Sequence, residues 1–186
     1  MTGTKVEGLN FGAAIAFVAP GFLALKGLSY QSATLQSWLA AAVEKDQGVG
    51  VFLFLLLAST ALGIGVSGVR ALLIDSLFFS RLAFGWKLNR PKVEWDKLDD
   101  QKRQALSTLI EGFYRYYQFY SNSLIGLVVL VIGRSSVTPT PPWTIWHWVG
   151  LLAVGFSLLW SSHDSFRKYT ESLNGLFVVA TPKEAA

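Results

Sequence analysis

The chain has 186 residues, of which 52% are apolar and only 15% charged, with a mean hydropathy of +0.40 and a formal net charge of +4. A soluble domain built from this composition would lack polar surface, whereas a bilayer asks for none. Cysteine is absent, which excludes disulfides and thiolate metal ligands.

Four stretches nearly free of charge follow one another: Leu9 to Gly27, Gly48 to Val69, Tyr116 to Gly133 and Trp143 to Ser162. A helix needs about 20 apolar residues to cross a hydrocarbon core of about 30 Å, and each stretch is close to that length. The expected fold is therefore all-α. It is a single transmembrane domain over residues 1–186, with four spans at about 9–27, 48–72, 116–133 and 143–162 and a cytoplasmic segment at about 75–115.

The first stretch has Lys5 as its only basic flank, so it reads as a retained helix rather than a secretory signal. Pro20-Gly21 lies near its middle. Proline removes a backbone donor and crowds the preceding turn, which predicts a kink or a break into two halves. Leu35, Trp38, Leu39 and Ala42 then recur at helical spacing, as in a short amphipathic helix at the membrane surface.

In the second stretch Thr60, Gly63, Ser67 and Arg70 share one face, and Gly63, Gly65 and Gly68 suit close helix approach. Beyond it the segment from Arg81 to Lys92 is basic with interleaved aromatics. Asp96 or Asp99 is positioned to cap a helix that runs without a breaker into the third span. There Glu111, Arg115, Gln118 and Asn122 fall at i, i+4, i+7 and i+11, so a polar stripe enters the membrane. The same residues also suit structural bonds between helices.

The Pro-rich run Thr138 to Pro142 predicts a short hairpin before the last span, whose Trp143, Trp146, Trp148 and Trp160 suit the membrane interfaces. Gly150, Ala153, Ser157, Ser161 and Asp164 share a face of that span. It is expected to protrude to about Asn174, where Gly175 offers a stop, with a frayed tail from Thr181 to Ala186.

Thirteen of the 16 Lys and Arg residues fall on one side of this layout and three on the other. The positive-inside rule then places both termini in the cytoplasm, with the third and fourth helices extending below the bilayer. His147 and the His163-Asp164 pair match no metal spacing, and neighbours on a helix point apart. No enzyme, cofactor or metal site is expected.

Phe17-Val18-Ala19-Pro20-Gly21-Phe22, the stretch from Gly68-Val69-Arg70 to Asp75, and Tyr114-Arg115-Tyr116-Tyr117-Gln118-Phe119-Tyr120 resemble a group of small bacterial four-span membrane proteins. In size and layout the chain is similar to the channel-like membrane effector of the Hailong anti-phage defence system. That resemblance implies a homotetrameric ion channel held silent by single-stranded oligodeoxyadenylate from a partner nucleotidyltransferase.

The functional expectation is an oligomeric effector whose regulated ion flow depolarises the inner membrane. Gln118 and Asn122, with Ser67, are the candidate pore lining. Arg81, Lys87, Arg90, Lys102, Arg103 and Arg115 are the candidate contacts for an anionic cytoplasmic ligand, although basic residues there also serve topology and anionic lipid. The alternative is a non-conducting anchor or sensor that recruits a cytoplasmic partner.

Overall fold

The computed structural model describes residues 11–41, 49–79, 99–137 and 143–177. Of these, 94% are helical and none is in a strand, so the fold is all-α. The elements are α1 (Phe11–Ser29), α2 (Ala33–Ala41), α3 (Val49–Phe79), α4 (Asp100–Leu109), a π-helical turn (Ile110–Tyr114), α5 (Arg115–Ser135) and α6 (Ile145–Phe177). Three segments are long and apolar enough to cross a membrane, Val49–Ser76, Asp100–Ser135 and Ile145–Leu176, with Ile15–Ser29 as a shorter apolar helix.

The exterior agrees with a lipid environment. Leu57, Leu72, Leu152 and Trp146 are each at least 69% exposed, and a water-soluble surface rarely gathers so much large apolar area. The chain is an all-helical, membrane-embedded protein.

The shortest long helix, α1, sits at the centre, between α3 and α5. Small residues permit this. A Cβ added at Gly21 would run into the Ser59 carbonyl, and one at Gly63 into the Phe17 carbonyl, so α1 and α3 touch backbone to backbone. On its other side, Cβ atoms at Gly27 and Gly126 would stand 2.6 Å from the carbonyl oxygens of Val129 and Pro20, and one at Gly133 would strike Gly27. In lipid, where no hydrophobic force drives helices together, such close approach is what makes dispersion contacts add up.

These contacts also set direction. Phe17 and Gly21 meet Gly63 and Ser59 in reverse order, whereas Pro20 and Gly27 meet Gly126 and Gly133 in the same order. Helix α5 in turn opposes α6, since Tyr114 and Tyr117 face Tyr169 and Phe166. The four helices thus alternate in direction, and the start of α1 and the end of α6 lie at one end of the bundle. That end also carries the charged ends of α3, α5 and α6.

Several local readings require correction. Of the two outcomes expected at Pro20, a kink or a break, only the break is overturned: α1 is one helix from Phe11 to Ser29. Gly175 does not stop α6, which runs on to Phe177. Among the small glycines of α3, Gly63 is at a contact, while Gly65 and Gly68 face open space. The expected short helix is present as α2, led by Ser32, whose Oγ accepts from the Leu35 amide at 3.4 Å. Asp99 caps α4, accepting from the Lys102 amide at 2.8 Å. The Pro-rich hairpin at 138–142 and the tail at 181–186 lie outside the described residues.

Helix α4 does flow into α5, but through the π turn, where the Arg115 amide donates to the Ile110 carbonyl five residues back. A π turn spends more residues per turn than an α turn. Everything beyond it is rotated relative to an unbroken 3.6-residue pattern. Glu111 lies within that turn and is displaced from the face that Arg115, Gln118 and Asn122 share in α5: Glu111 is exposed, Arg115 and Gln118 are half-buried, and Asn122 is fully buried.

Candidate functional site

The charged end of the bundle holds a polar cluster inside an aromatic collar. Arg70 ends the apolar run of α3, and its side chain is only 5% exposed. One turn and a half further on, Asp75 accepts from Arg70 Nη1 at 3.2 Å. Across the interface, the Tyr117 hydroxyl of α5 donates to the same Asp75 oxygen. The Arg70 guanidinium also lies over the Tyr117 ring, 4.8 Å from its centroid.

Local sequence explains the placement. Buried Ser59, Gly63, Val66, Arg70 and Ile74 form the inward stripe of α3, with the three- and four-residue spacing of one helix face. Arg70 therefore points inward because the stripe does. An isolated guanidinium at that depth would be costly, and the carboxylate and ring face compensate it. Its Nε nonetheless has no hydrogen-bond partner.

Around this cluster, Phe78, Tyr117 and Phe166 form the buried core with Ile74, and Tyr114 and Tyr169 pack against it. Tyr117 and Phe166 stack at 4.3 Å, and His163 meets Phe78 edge-on at 5.3 Å. The collar joins α3, α5 and α6. The Arg70–Asp75 pair lies within α3, and the Tyr117 hydroxyl ties it to α5, so this one hydrogen bond can be made or broken as the two helices change their arrangement.

The candidate lining residues are distributed differently. Asn122 is fully buried, and its Nδ2 donates to the Ala16 carbonyl of α1 at 3.2 Å. Ala16 is four residues before Pro20, whose missing N–H leaves that carbonyl without its usual helical donor. Asn122 thus repairs the backbone defect that the proline creates. Gln118 and Ser67 are half-buried and retain some surface.

Among the candidate anion contacts, Arg81, Lys87 and Arg90 lie outside the described residues, as do the neighbouring Trp86 and Trp95. Lys102 is half-buried and Arg103 exposed in the first turns of α4. Arg115 is half-buried, and its Nη1 lacks a hydrogen-bond partner. Twelve residues of helix separate Arg103 from Arg115, about 18 Å along the axis, so one small anion does not span them.

Asp75 and Tyr117 were not singled out by sequence reasoning, although both fall within the strings that carry the resemblance. The signal was there: a cation closing an apolar helix, with a carboxylate five residues on. Among the described residues, no three His, Cys, Asp or Glu side chains gather as a metal site would require. His147 is engaged locally, with Nδ1 at 2.6 Å from the Thr144 hydroxyl. No protein-family model, curated protein or solved structure matches this chain.

Proposed function

We propose that the protein is a symmetric oligomeric effector of the bacterial inner membrane, both termini cytoplasmic, that conducts ions under control of an anionic cytoplasmic ligand and so depolarises the cell. The carrying observation is the division of its small residues. Gly21, Gly27, Gly63, Gly126 and Gly133 are consumed inside the protomer, while Gly65, Gly68 and Gly150 have open space beside them. Ala153 and Ser157 extend the α6 face from Gly150 and are exposed. Faces of this kind suit close contact with further helices, here those of other copies.

Among the described residues one protomer offers no path of its own, because Ala16, Ala24, Leu25, Tyr117 and Asn122 fill its interior at 3% exposure or less. Conduction then requires symmetric copies around an axis, and the resemblance to the Hailong effector implies that there are four of them. Gln118 and Ser67 are the retained lining residues, and the Arg70–Asp75–Tyr117 cluster is the gate. The proposed ligand is a single-stranded oligodeoxyadenylate made by a partner nucleotidyltransferase, held by Lys102, Arg103 and Arg115 together with Arg81, Lys87 and Arg90.

The test is ion flux from liposomes containing the purified full-length chain, with and without a short oligodeoxyadenylate. The proposal expects flux that the oligomer suppresses and that Gln118→Leu reduces. If wild type and Gln118→Leu both leave liposome and cell potentials unchanged without the oligomer, conduction is refuted. The use of Asn122 inside the protomer favours the second reading, a non-conducting anchor or sensor. That reading expects the chain to capture a cytoplasmic partner and to carry no current.

A further inference from the structure

A second feature lies at the charged end, on the outer side of α5 and α6. Between these helices runs a groove of about 330 Å³, lined by Tyr116, Tyr120, Trp160, Asp164, Ser165 and Lys168 among others. The π turn contributes to its wall through Gly112, beside which a Cβ would meet nothing within 4 Å. Its size is at the low end of small-ligand sites.

Its depth can be read from α6 itself. Leu152, Phe156, Trp160, Asp164 and Lys168 recur every four residues and so run down one face. That face passes from apolar side chains, 71% and 62% exposed, through an indole that is 55% exposed, to charge. The order hydrocarbon, aromatic, charge is the profile of a membrane boundary, with the indole at head-group level. Tyr116 and Tyr120, stacked at 6.4 Å, supply aromatic surface from α5 at the same level.

The charges there balance. Asp164 pairs with Lys168 at 2.7 Å and with Arg167 at 3.2 Å, while Arg167 also approaches Glu171 at 4.0 Å. The groove's own lining carries one carboxylate, Asp164, and one cation, Lys168, which leaves no net attraction for a purely anionic head group. A group carrying both signs matches each of them.

We infer that the groove between α5 and α6 binds the head group of a zwitterionic phospholipid. The phosphate accepts from the Lys168 ammonium, which has donors beyond the one given to Asp164, and from the Ser165 hydroxyl. The amine sits against the Asp164 carboxylate and the faces of Tyr116, Tyr120 and Trp160, as cations do over electron-rich rings. The acyl chains follow Phe156 and Leu152 away from the charged end.

The experiment is native mass spectrometry of the detergent-purified full-length protein with phosphatidylethanolamine, phosphatidylcholine and phosphatidylglycerol of identical chains. Wild type is expected to retain the two zwitterionic lipids over phosphatidylglycerol by about fivefold or more, the scale of one cation–ring contact. Trp160→Ala and the conservative Asp164→Asn, each verified as folded by circular dichroism, are expected to bring that ratio near one. Equal retention of all three lipids by wild type, or an unchanged ratio in both variants, overturns the inference. Soluble glycerophosphoethanolamine is expected to displace little lipid. Full displacement by it at matched concentration would assign the groove to a free phosphodiester and overturn the lipid reading.

Discussion

The Asn122 amide and the Pro20 ring answer one another, and a double-mutant cycle can measure how strongly. Asn122→Ala removes the donor that reaches the Ala16 carbonyl at 3.2 Å. Hydrogen bonds between membrane helices average about 0.6 kcal/mol and reach about 1.7. This one should lie toward the upper value, because Pro20 denies its acceptor the helical donor that other carbonyls keep. The Asn122 Oδ1 has no partner, so losing the side chain also removes an orphaned acceptor and lessens the net cost. In a Pro20→Ala chain, the new N–H at position 20 bonds Ala16 directly, and Asn122→Ala then costs less. The expected coupling is about 0.6–1.7 kcal/mol, with loss of the buried ring cancelling across the cycle. Equilibrium unfolding in mixed micelles, followed by circular dichroism, gives the four stabilities. A coupling within about 0.3 kcal/mol of zero would refute the proposed repair.

Three further outcomes are expected. Gly63→Ala forces α1 and α3 apart and should cost about 1–3 kcal/mol in the same unfolding assay, whereas Gly65→Ala meets open space and should not destabilise the protomer, gaining up to about 1 kcal/mol of helix propensity. Equal losses would contradict the glycine packing. Asp75→Ala strips the buried Arg70 of its carboxylate and should cost about 3 kcal/mol, the low end for a broken buried pair because Asp75 is 26% exposed. Tyr117→Phe, losing only a hydroxyl, should cost about 0.5–1.5, and the reverse ranking would refute this assignment of roles. Asp99→Ala should weaken the start of α4 by about 0.5–2 kcal/mol, seen as faster hydrogen exchange at Lys102 and Arg103; unchanged exchange would remove the cap from the account.

The helices themselves were legible because lipid imposes a one-dimensional rule: an unbroken apolar run of sufficient length crosses. Asp99 was legible as a cap, since its short carboxylate precedes a helical pattern. Which face of each helix turns inward was much less so. Hydrophobicity does not distinguish a lipid-facing Leu57 from a buried Leu25, and the discriminating signal was small side chains, which Gly63 and Gly65 share although only one is at a contact. The third-span stripe lost only its first member, Glu111, and for a different reason. It assumed 3.6 residues per turn through Ile110–Tyr114, and no residue in that segment announces a π turn. The donor that reaches the Ala16 carbonyl comes from Asn122, 106 positions away, and no local pattern carries that information.

The order of synthesis gives this last pairing a consequence in time. Helix α1 leaves the ribosome first, yet the amide that completes its hydrogen bonding is made 106 residues later. At about 5–20 residues per second, that delay is roughly 5–20 s. Throughout it the nascent segment carries an open carbonyl, and Gly27 waits for its α5 partner while Gly21 meets α3 much sooner. A chaperone, the insertion machinery or a borrowed water must tend that defect, and a chain truncated before the third crossing should be a substrate for membrane quality control.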